Sequence, residues 1–151
     1  MQFYTVEIKP FKNLFWSFIV FYIAAIIVSL VIVRTGFYYM TNLIYITRLK
    51  WFFIFGSFFL SMIISNFQQK KKEEIGQLTD FDDKVKAYRS LYRQKLIWNF
   101  LVGTSALGLF ILTSRWIFLW LAIIYLAYVL LFFPRKSAIQ KELDNEDIVF
   151  V

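Results

Sequence analysis

The sequence predicts an all-α membrane protein with four transmembrane helices, and three observations lead to this fold class. Of the 151 residues, 60% are hydrophobic and 22% are aromatic, more than a typical soluble domain contains. Four uncharged apolar runs are long enough to cross, or nearly cross, a bilayer at about 1.5 Å per residue. The Lys and Arg residues are also divided unequally between the two sides that these runs define. We therefore expect a single membrane domain, residues 1–151.

The apolar runs place the four predicted spans at about residues 14–33, 51–67, 96–113 and 116–133. The last three are shorter than the roughly 20 residues that a typical bilayer requires, so flanking Lys and Arg side chains would have to extend to the headgroups. About two residues separate the third and fourth spans, which predicts an antiparallel helical hairpin. Pro134 is expected to end the fourth span, because proline cannot continue a helix easily.

The orientation of the chain is predicted from its basic residues. Of the 17 Lys and Arg residues, 13 lie in the amino end, the segment 68–95 and the tail 134–151, and 4 lie in the two other connections. The positive-inside rule then places the segment 68–95 and both termini in the cytoplasm. Each predicted span also has a tryptophan in its first turn, as expected where indole rings lie at headgroup level.

The cytoplasmic segment 68–95 is predicted to carry a basic amphipathic helix, which begins at Thr79 or Asp80 and is continuous with the third span. Aromatic and apolar residues form one face of this helix, and basic residues flank that face. These residues are Phe81, Val85, Tyr88 and Tyr92 on the face, with Lys84, Lys86, Arg89 and Arg93 beside it. The pattern fits two alternatives equally: contact with anionic lipid or a partner, or packing of the apolar face on the rest of the chain.

Small and weakly polar residues of the spans are candidates for helix packing. They are Ser57, Ser61, Ser65 and Asn66 on the second span, and Asn99, Gly103, Thr104 and Gly108 on the third. Serines at every fourth position let another backbone approach closely, and the less common alternative is that their hydroxyls line a pore. Asn66 and Asn99 lie near the cytoplasmic ends of their spans, so an amide hydrogen bond between them is expected to be geometrically feasible.

The two chain ends each leave an alternative open. Tyr4, Val6 and Ile8 alternate with polar residues, which is typical of a short strand or of an extended lead-in, and the shortness of the pattern favours the lead-in. The apolar residues 148–151 would either meet a partner or fold back onto the cytoplasmic helix.

Residue types that are absent restrict the function. The chain contains no Cys and no His, and the predicted spans contain no Asp, Glu, Lys or Arg. The usual ligands of redox metals and the usual signs of an ion pathway are therefore missing, and we expect no enzyme, no metal and no cofactor. The net charge of +7 fits anionic lipid headgroups better than nucleic acid, because the basic residues lie between apolar runs.

We expect a non-enzymatic accessory or structural subunit, which acts through helix packing and its basic cytoplasmic helix. It would belong to a homo-oligomer or to a larger membrane complex. The alternative is a homo-oligomeric channel with an uncharged, weakly polar pore.

The carboxyl-terminal half of the chain resembles an uncharacterised family of small, four-helix bacterial membrane proteins. The matching pattern before the third span is Phe81, Asp82, Asp83, Lys84, Tyr88 and Arg89. The pattern after the fourth is Pro134, Arg135, Lys136, Ile139 and Leu143. Val102 and Gly103 stand where the family has Glu-Gly. The resemblance implies the four-helix topology and a bacterial inner membrane, but no chemistry.

Overall fold

The computed structural model describes residues 4–36, 43–143 and 148–150. These ranges contain five helices and one pair of short strands. The elements are, in chain order, β1 (Tyr4–Val6), α1 (Lys9–Arg34), α2 (Leu43–Gln77), α3 (Phe81–Thr113), α4 (Trp116–Leu130), α5 (Lys136–Leu143) and β2 (Ile148–Phe150). The predicted helical fold class is thereby confirmed for the described residues.

Three of these helices, α1, α2 and α3, are long and apolar enough to cross a membrane. The fourth predicted span corresponds to α4, which has 15 residues and is a shorter apolar helix. At about 1.5 Å per residue its length is roughly 22 Å, below the roughly 30 Å of a bilayer's hydrocarbon core.

The helix α3 is the centre of the bundle, since it packs against α1, α2 and α4. In its most apolar window 39% of the residues are buried, against 17% for α1 and 6% for α2. The helix α2 is therefore peripheral and is held mainly by α3.

The start and end of α3 follow its sequence. The Asp80 carboxylate accepts a hydrogen bond from the Asp83 backbone N–H at 3.3 Å and caps the helix, as expected from a start at Thr79 or Asp80. From Phe81 the helix continues without interruption to Thr113. Ser114 then takes a left-handed conformation with φ of 51°, and α4 begins two residues later. The predicted hairpin and the predicted continuous helix are both present.

The predicted boundaries of three helices differ from the structure. The helix α1 begins at Lys9, five residues before the predicted span. The helix α2 begins well before residue 51 and extends through the charged stretch to Gln77, because its Lys, Glu and Gln residues are good helix formers. The helix α4 ends at Leu130, before Pro134. There Phe132 N–H bonds to Val129 O and Phe133 N–H to Leu130 O, so the last turn is tightened ahead of the proline.

The two ends of the chain pair with each other, which overturns the expectation of a simple lead-in. The strand β1 pairs in parallel with β2, with Tyr4 opposite Ile148 and Val6 opposite Phe150. Val6 and Ile148 are both buried. The apolar tail is therefore folded back onto the amino end of its own chain. The end of the bundle that holds β1, β2 and α5 is called the strand end below.

Candidate functional site

The predicted packing residue Gly103 lies at a crossing of three helices. The Tyr22 hydroxyl of α1 passes over Gly103 of α3 and donates a hydrogen bond of 2.9 Å to the Ala122 carbonyl of α4. A Cβ atom at residue 103 would overlap this hydroxyl and lie 2.5 Å from Tyr22 Cζ. Glycine is thus required by the close approach, and its partner is a residue of the same chain.

The other predicted small residues of α3 have less demanding surroundings. A Cβ atom at Gly108 would meet no atom within 4 Å. The Thr104 hydroxyl donates to the Phe100 carbonyl at 2.8 Å, within its own helix. A side chain at residue 108 would therefore meet no neighbouring helix, unlike one at Gly103.

The aromatic stripe of α3 packs on the chain itself. Tyr88 and Tyr92 are buried in a cluster with Phe11 of α1 and Ile139 of α5, and Phe81 is half-buried beside it. Of the two alternatives given by the sequence, the structure has internal packing, so lipid contact does not apply to the tyrosine rings. Val85 belongs to the same partly buried set.

Hydrogen bonding and burial fix the state of these tyrosines. The Tyr92 hydroxyl donates to the carbonyl of Phe132 at 2.9 Å, two residues beyond the end of α4. Burial raises the pKa of both Tyr88 and Tyr92, with smaller contributions from Glu142 near Tyr88 and from Tyr88 near Tyr92. Both hydroxyls therefore stay protonated at neutral pH.

The basic residues beside the stripe remain accessible. Lys86, Arg89 and Arg93 are exposed, and Lys84 is half-buried. Lys86 forms an exposed ion pair of 3.4 Å with Asp83. Together with the exposed Arg89 and Arg93 it borders a hollow beside Leu14 of α1. Their contact with lipid or a partner stays a prediction.

The serines of α2 lie on the side of the helix that faces α3 and α4. Ser57 is buried where α2 meets α3, whereas Ser61 and Ser65 are exposed and border a cleft between α2 and α4. The expected amide pair is not formed among the described residues. The Asn99 amide instead donates to the Lys95 carbonyl at 2.8 Å, inside α3.

Asn66 points away from the bundle. At about 3.6 residues per turn it shares one face of α2 with Phe52, Phe55, Phe59 and Met62. All five are exposed, and the four apolar side chains have exposed fractions between 58% and 78%. We call these five residues the outer stripe of α2.

A cleft of about 500 Å³ separates α2 from α4, with α3 as its floor. Two contacts of α2 mark the two ends of this cleft. Toward the strand end the Lys71 ammonium bonds to the Gln94 side-chain oxygen at 3.2 Å. At the far end the Phe53 ring meets the Phe118 ring edge-on. We call this space the α2–α4 cleft.

Polar side chains line the α2–α4 cleft on all three helices. They are Ser61, Ser65 and Gln68 on α2, Lys95 and Asn99 on α3, and Tyr125 and Tyr128 on α4. Sequence reasoning gave Ser61, Ser65 and Asn99 a packing role and missed the rest. Gln68 and Lys95 stand at the edges of apolar runs, and their spacing alone does not show that both face the same space.

Comparisons with protein-family models, curated proteins and solved structures return no match to this chain. The resemblance of the carboxyl-terminal half to small four-helix membrane proteins therefore stays a prediction.

Proposed function

We propose that this chain is a non-enzymatic, multi-pass membrane protein that acts as an accessory or structural subunit. In this proposal the four apolar helices α1 to α4 cross a bacterial inner membrane. The strand end, and with it both termini, lies in the cytoplasm. The helix α2 is the element that meets the partner, which is a second copy of this chain or an unlike subunit.

The outer stripe of α2 is the observation that carries the proposal. A helix that served only to fill the bundle would be buried along one face, but only 6% of the residues in the apolar window of α2 are buried. Asn66 adds a polar amide to that exposed stripe. In a membrane such amides are satisfied by hydrogen bonds between helices, so the stripe has both the packing surface and the polar group of a helix–helix contact.

The basic residues of the strand end support the proposed orientation and an anionic lipid contact. Arg89 and Arg93 are exposed at the point where α3 leaves its polar segment for its apolar one. Headgroups of the cytoplasmic leaflet carry negative charge, which attracts exposed Lys and Arg residues near the membrane surface.

Orientation can be tested with single cysteines, because the chain has none of its own. Thr35 and Ser137 are both exposed and lie at opposite ends of the proposed topology. In intact cells a membrane-impermeant maleimide should label Thr35→Cys and leave Ser137→Cys unlabelled until the membrane is opened. Labelling of Ser137→Cys in intact cells would refute the cytoplasmic position of the tail.

The partner can be tested by native mass spectrometry of the protein extracted gently from its own membrane. We expect Asn66→Leu to weaken the complex about threefold, since hydrogen bonds between membrane helices average about 0.6 kcal/mol. Asn13→Leu is the matched control, because Asn13 is also exposed but lies on α1. A wild-type protein that is monomeric under all gentle conditions, without any partner, would refute the subunit role.

The mass of the complex also addresses the channel alternative. A closed ring of identical chains would favour a channel and lead to flux measurements in liposomes. The inward position of Ser57 gives this alternative no added support, because a pore lined by the serines would require α3 to move away from α2.

A further inference from the structure

We propose that the α2–α4 cleft binds one anionic phospholipid, with its phosphate at Lys95. The inference rests on the proposed membrane location of the bundle, and it goes beyond the proposed subunit role. It assigns a ligand to a space that neither the packing of the helices nor the outer stripe of α2 explains.

The first argument is charge. Lys95 is half-buried at the strand end of the cleft, and none of the described residues that line the cleft is acidic. The ion pairs among the described residues are Lys72–Glu142 and Lys86–Asp83, so the Lys95 ammonium has no carboxylate partner there. A half-buried charge near apolar surface costs free energy unless a group of opposite charge accompanies it. The phosphate of a lipid is such a group.

The second argument is the type of hydrogen-bonding groups. Ser61, Ser65, Tyr125 and Tyr128 bring hydroxyls to the cleft, and Gln68 brings an amide. All five can donate hydrogen bonds. The phosphodiester and ester oxygens of a phospholipid can only accept them, so the ligand and the cleft are complementary.

The third argument is shape. The cleft has an apolar side formed by Ile64, Trp98 and Ile124, and Trp98 and Ile124 are exposed toward the opening between α2 and α4. The helices α2 and α4 pack on α3 and make few contacts with each other, so the opening faces sideways, toward lipid. An acyl chain can leave the cleft along this side while the phosphate stays at Lys95.

A second helix fits the polar lining of the cleft less well than a lipid headgroup does, because apolar side chains would leave the Lys95 ammonium and the hydroxyls without partners. The headgroup can occupy the cleft of about 500 Å³ while the acyl chains extend past its apolar side. The cleft volume lies within the roughly 300–1,000 Å³ of typical small-molecule sites. The outer stripe of α2, on the opposite face, remains free for a helix while the lipid is bound.

The test is native mass spectrometry of the full chain, purified in detergent and delipidated, with phosphatidylglycerol or phosphatidylcholine added back. We expect one tightly held phosphatidylglycerol per chain and weaker binding of phosphatidylcholine. Lys95→Gln should lower the affinity for phosphatidylglycerol roughly tenfold, because a charge-assisted hydrogen bond is lost, and should leave phosphatidylcholine binding nearly unchanged. Lys86→Gln is the charge-matched control, since Lys86 is exposed outside the cleft.

A second variant keeps the charge and removes the space. Ser65→Leu should reduce the binding of both lipids, whereas Ser65→Ala should preserve it. Circular dichroism during heating identifies any variant that fails to fold. If Ser65→Leu does not fold, the lipid affinities of Ser65→Ala and Lys95→Gln test the proposal.

Two results would overturn the inference. Equal losses in Lys95→Gln and Lys86→Gln would mean that lipid is held by the basic surface in general. A dimer without bound lipid, dissociated by Ser65→Leu, would make the cleft a contact between two copies. Either result leaves the subunit role open, since that role is tested on Asn66 and on the partner extracted from the membrane.

Discussion

The crossing of Tyr22 over Gly103 makes one substitution especially informative. In Gly103→Ala the new methyl group would overlap the Tyr22 hydroxyl, which must then release the Ala122 carbonyl or push α1 away from α3. Overpacking costs about 1–3 kcal/mol, and the lost interhelical hydrogen bond about 0.6 kcal/mol. Alanine regains up to about 1 kcal/mol through its better helix propensity.

Gly108→Ala separates the clash from the helix propensity, because it has the same gain in helix propensity and its new Cβ atom meets no atom within 4 Å. We expect Gly103→Ala to be less stable than Gly108→Ala by about 2–4 kcal/mol in the free energy of unfolding. The assay is reversible unfolding in mixed micelles of detergent and denaturing surfactant, followed by circular dichroism.

The clash can be assigned to Tyr22 by a double-mutant cycle. In a Tyr22→Leu background the hydroxyl and the ring are gone, so Gly103→Ala should cost little beyond the single Tyr22→Leu change. Equal stability of Gly103→Ala and Gly108→Ala would refute the reasoning. An unchanged penalty in the Tyr22→Leu background would assign the loss to something other than this crossing.

Three further predictions concern the strand end. Tyr92→Phe should destabilise the protein by about 1 kcal/mol, because the Phe132 carbonyl loses its donor. Since burial raises the pKa of Tyr92, the folded state keeps a proton that the unfolded state loses above its ordinary pKa of 10.0. Stability should accordingly fall as the pH rises past that value, and a pH series of unfolding curves should show a shallower fall in Tyr92→Phe. Asp80→Ala should cost about 1 kcal/mol by removing the cap on the Asp83 backbone N–H, whereas Asp80→Asn should retain most of it, as measured by chemical unfolding. Ile148→Asp should open the strand pair, because it places a charge at a buried position, and limited proteolysis should then cut the tail of the variant before that of the wild type.

The sequence determines the helices of this protein more clearly than their contacts. The long apolar runs and the cap at Asp80 are local signals, and the helices that they predict are present. Helix boundaries depend less on local signals. The charged residues after the second apolar run are compatible both with a helix and with a solvated connection, and in the structure α2 continues through them. The helix α4 ends before Pro134, and the Tyr92 hydroxyl bonds to the Phe132 carbonyl just beyond its end. Of these two features only the proline is visible in the nearby sequence.

Contacts between distant residues could not be read from spacing. Gly103 was a packing candidate from the sequence, yet nothing in its sequence neighbourhood identifies Tyr22 as the residue that crosses it. The strand pair joins the two ends of the chain, so the alternation at Tyr4 and Val6 had no visible partner and favoured a lead-in. The stripe of α3 was equally compatible with lipid and with internal packing, because burial of one helix face has the same period in both cases.

The face of α2 on which a residue lies decides whether it belongs to the proposed partner contact or to the proposed lipid site. Phe53 and Ser57 lie on the face toward α3, and Asn66 lies on the opposite face. Ser61 falls between the helices at the cleft, where its small side chain leaves space instead of filling it. A leucine at residue 61 would therefore fill the cleft before it could disturb a partner on the outer stripe. Loss of lipid with an intact complex in Ser61→Leu would separate the two surfaces, whereas loss of the complex alone would mean that the serine stripe itself meets the partner.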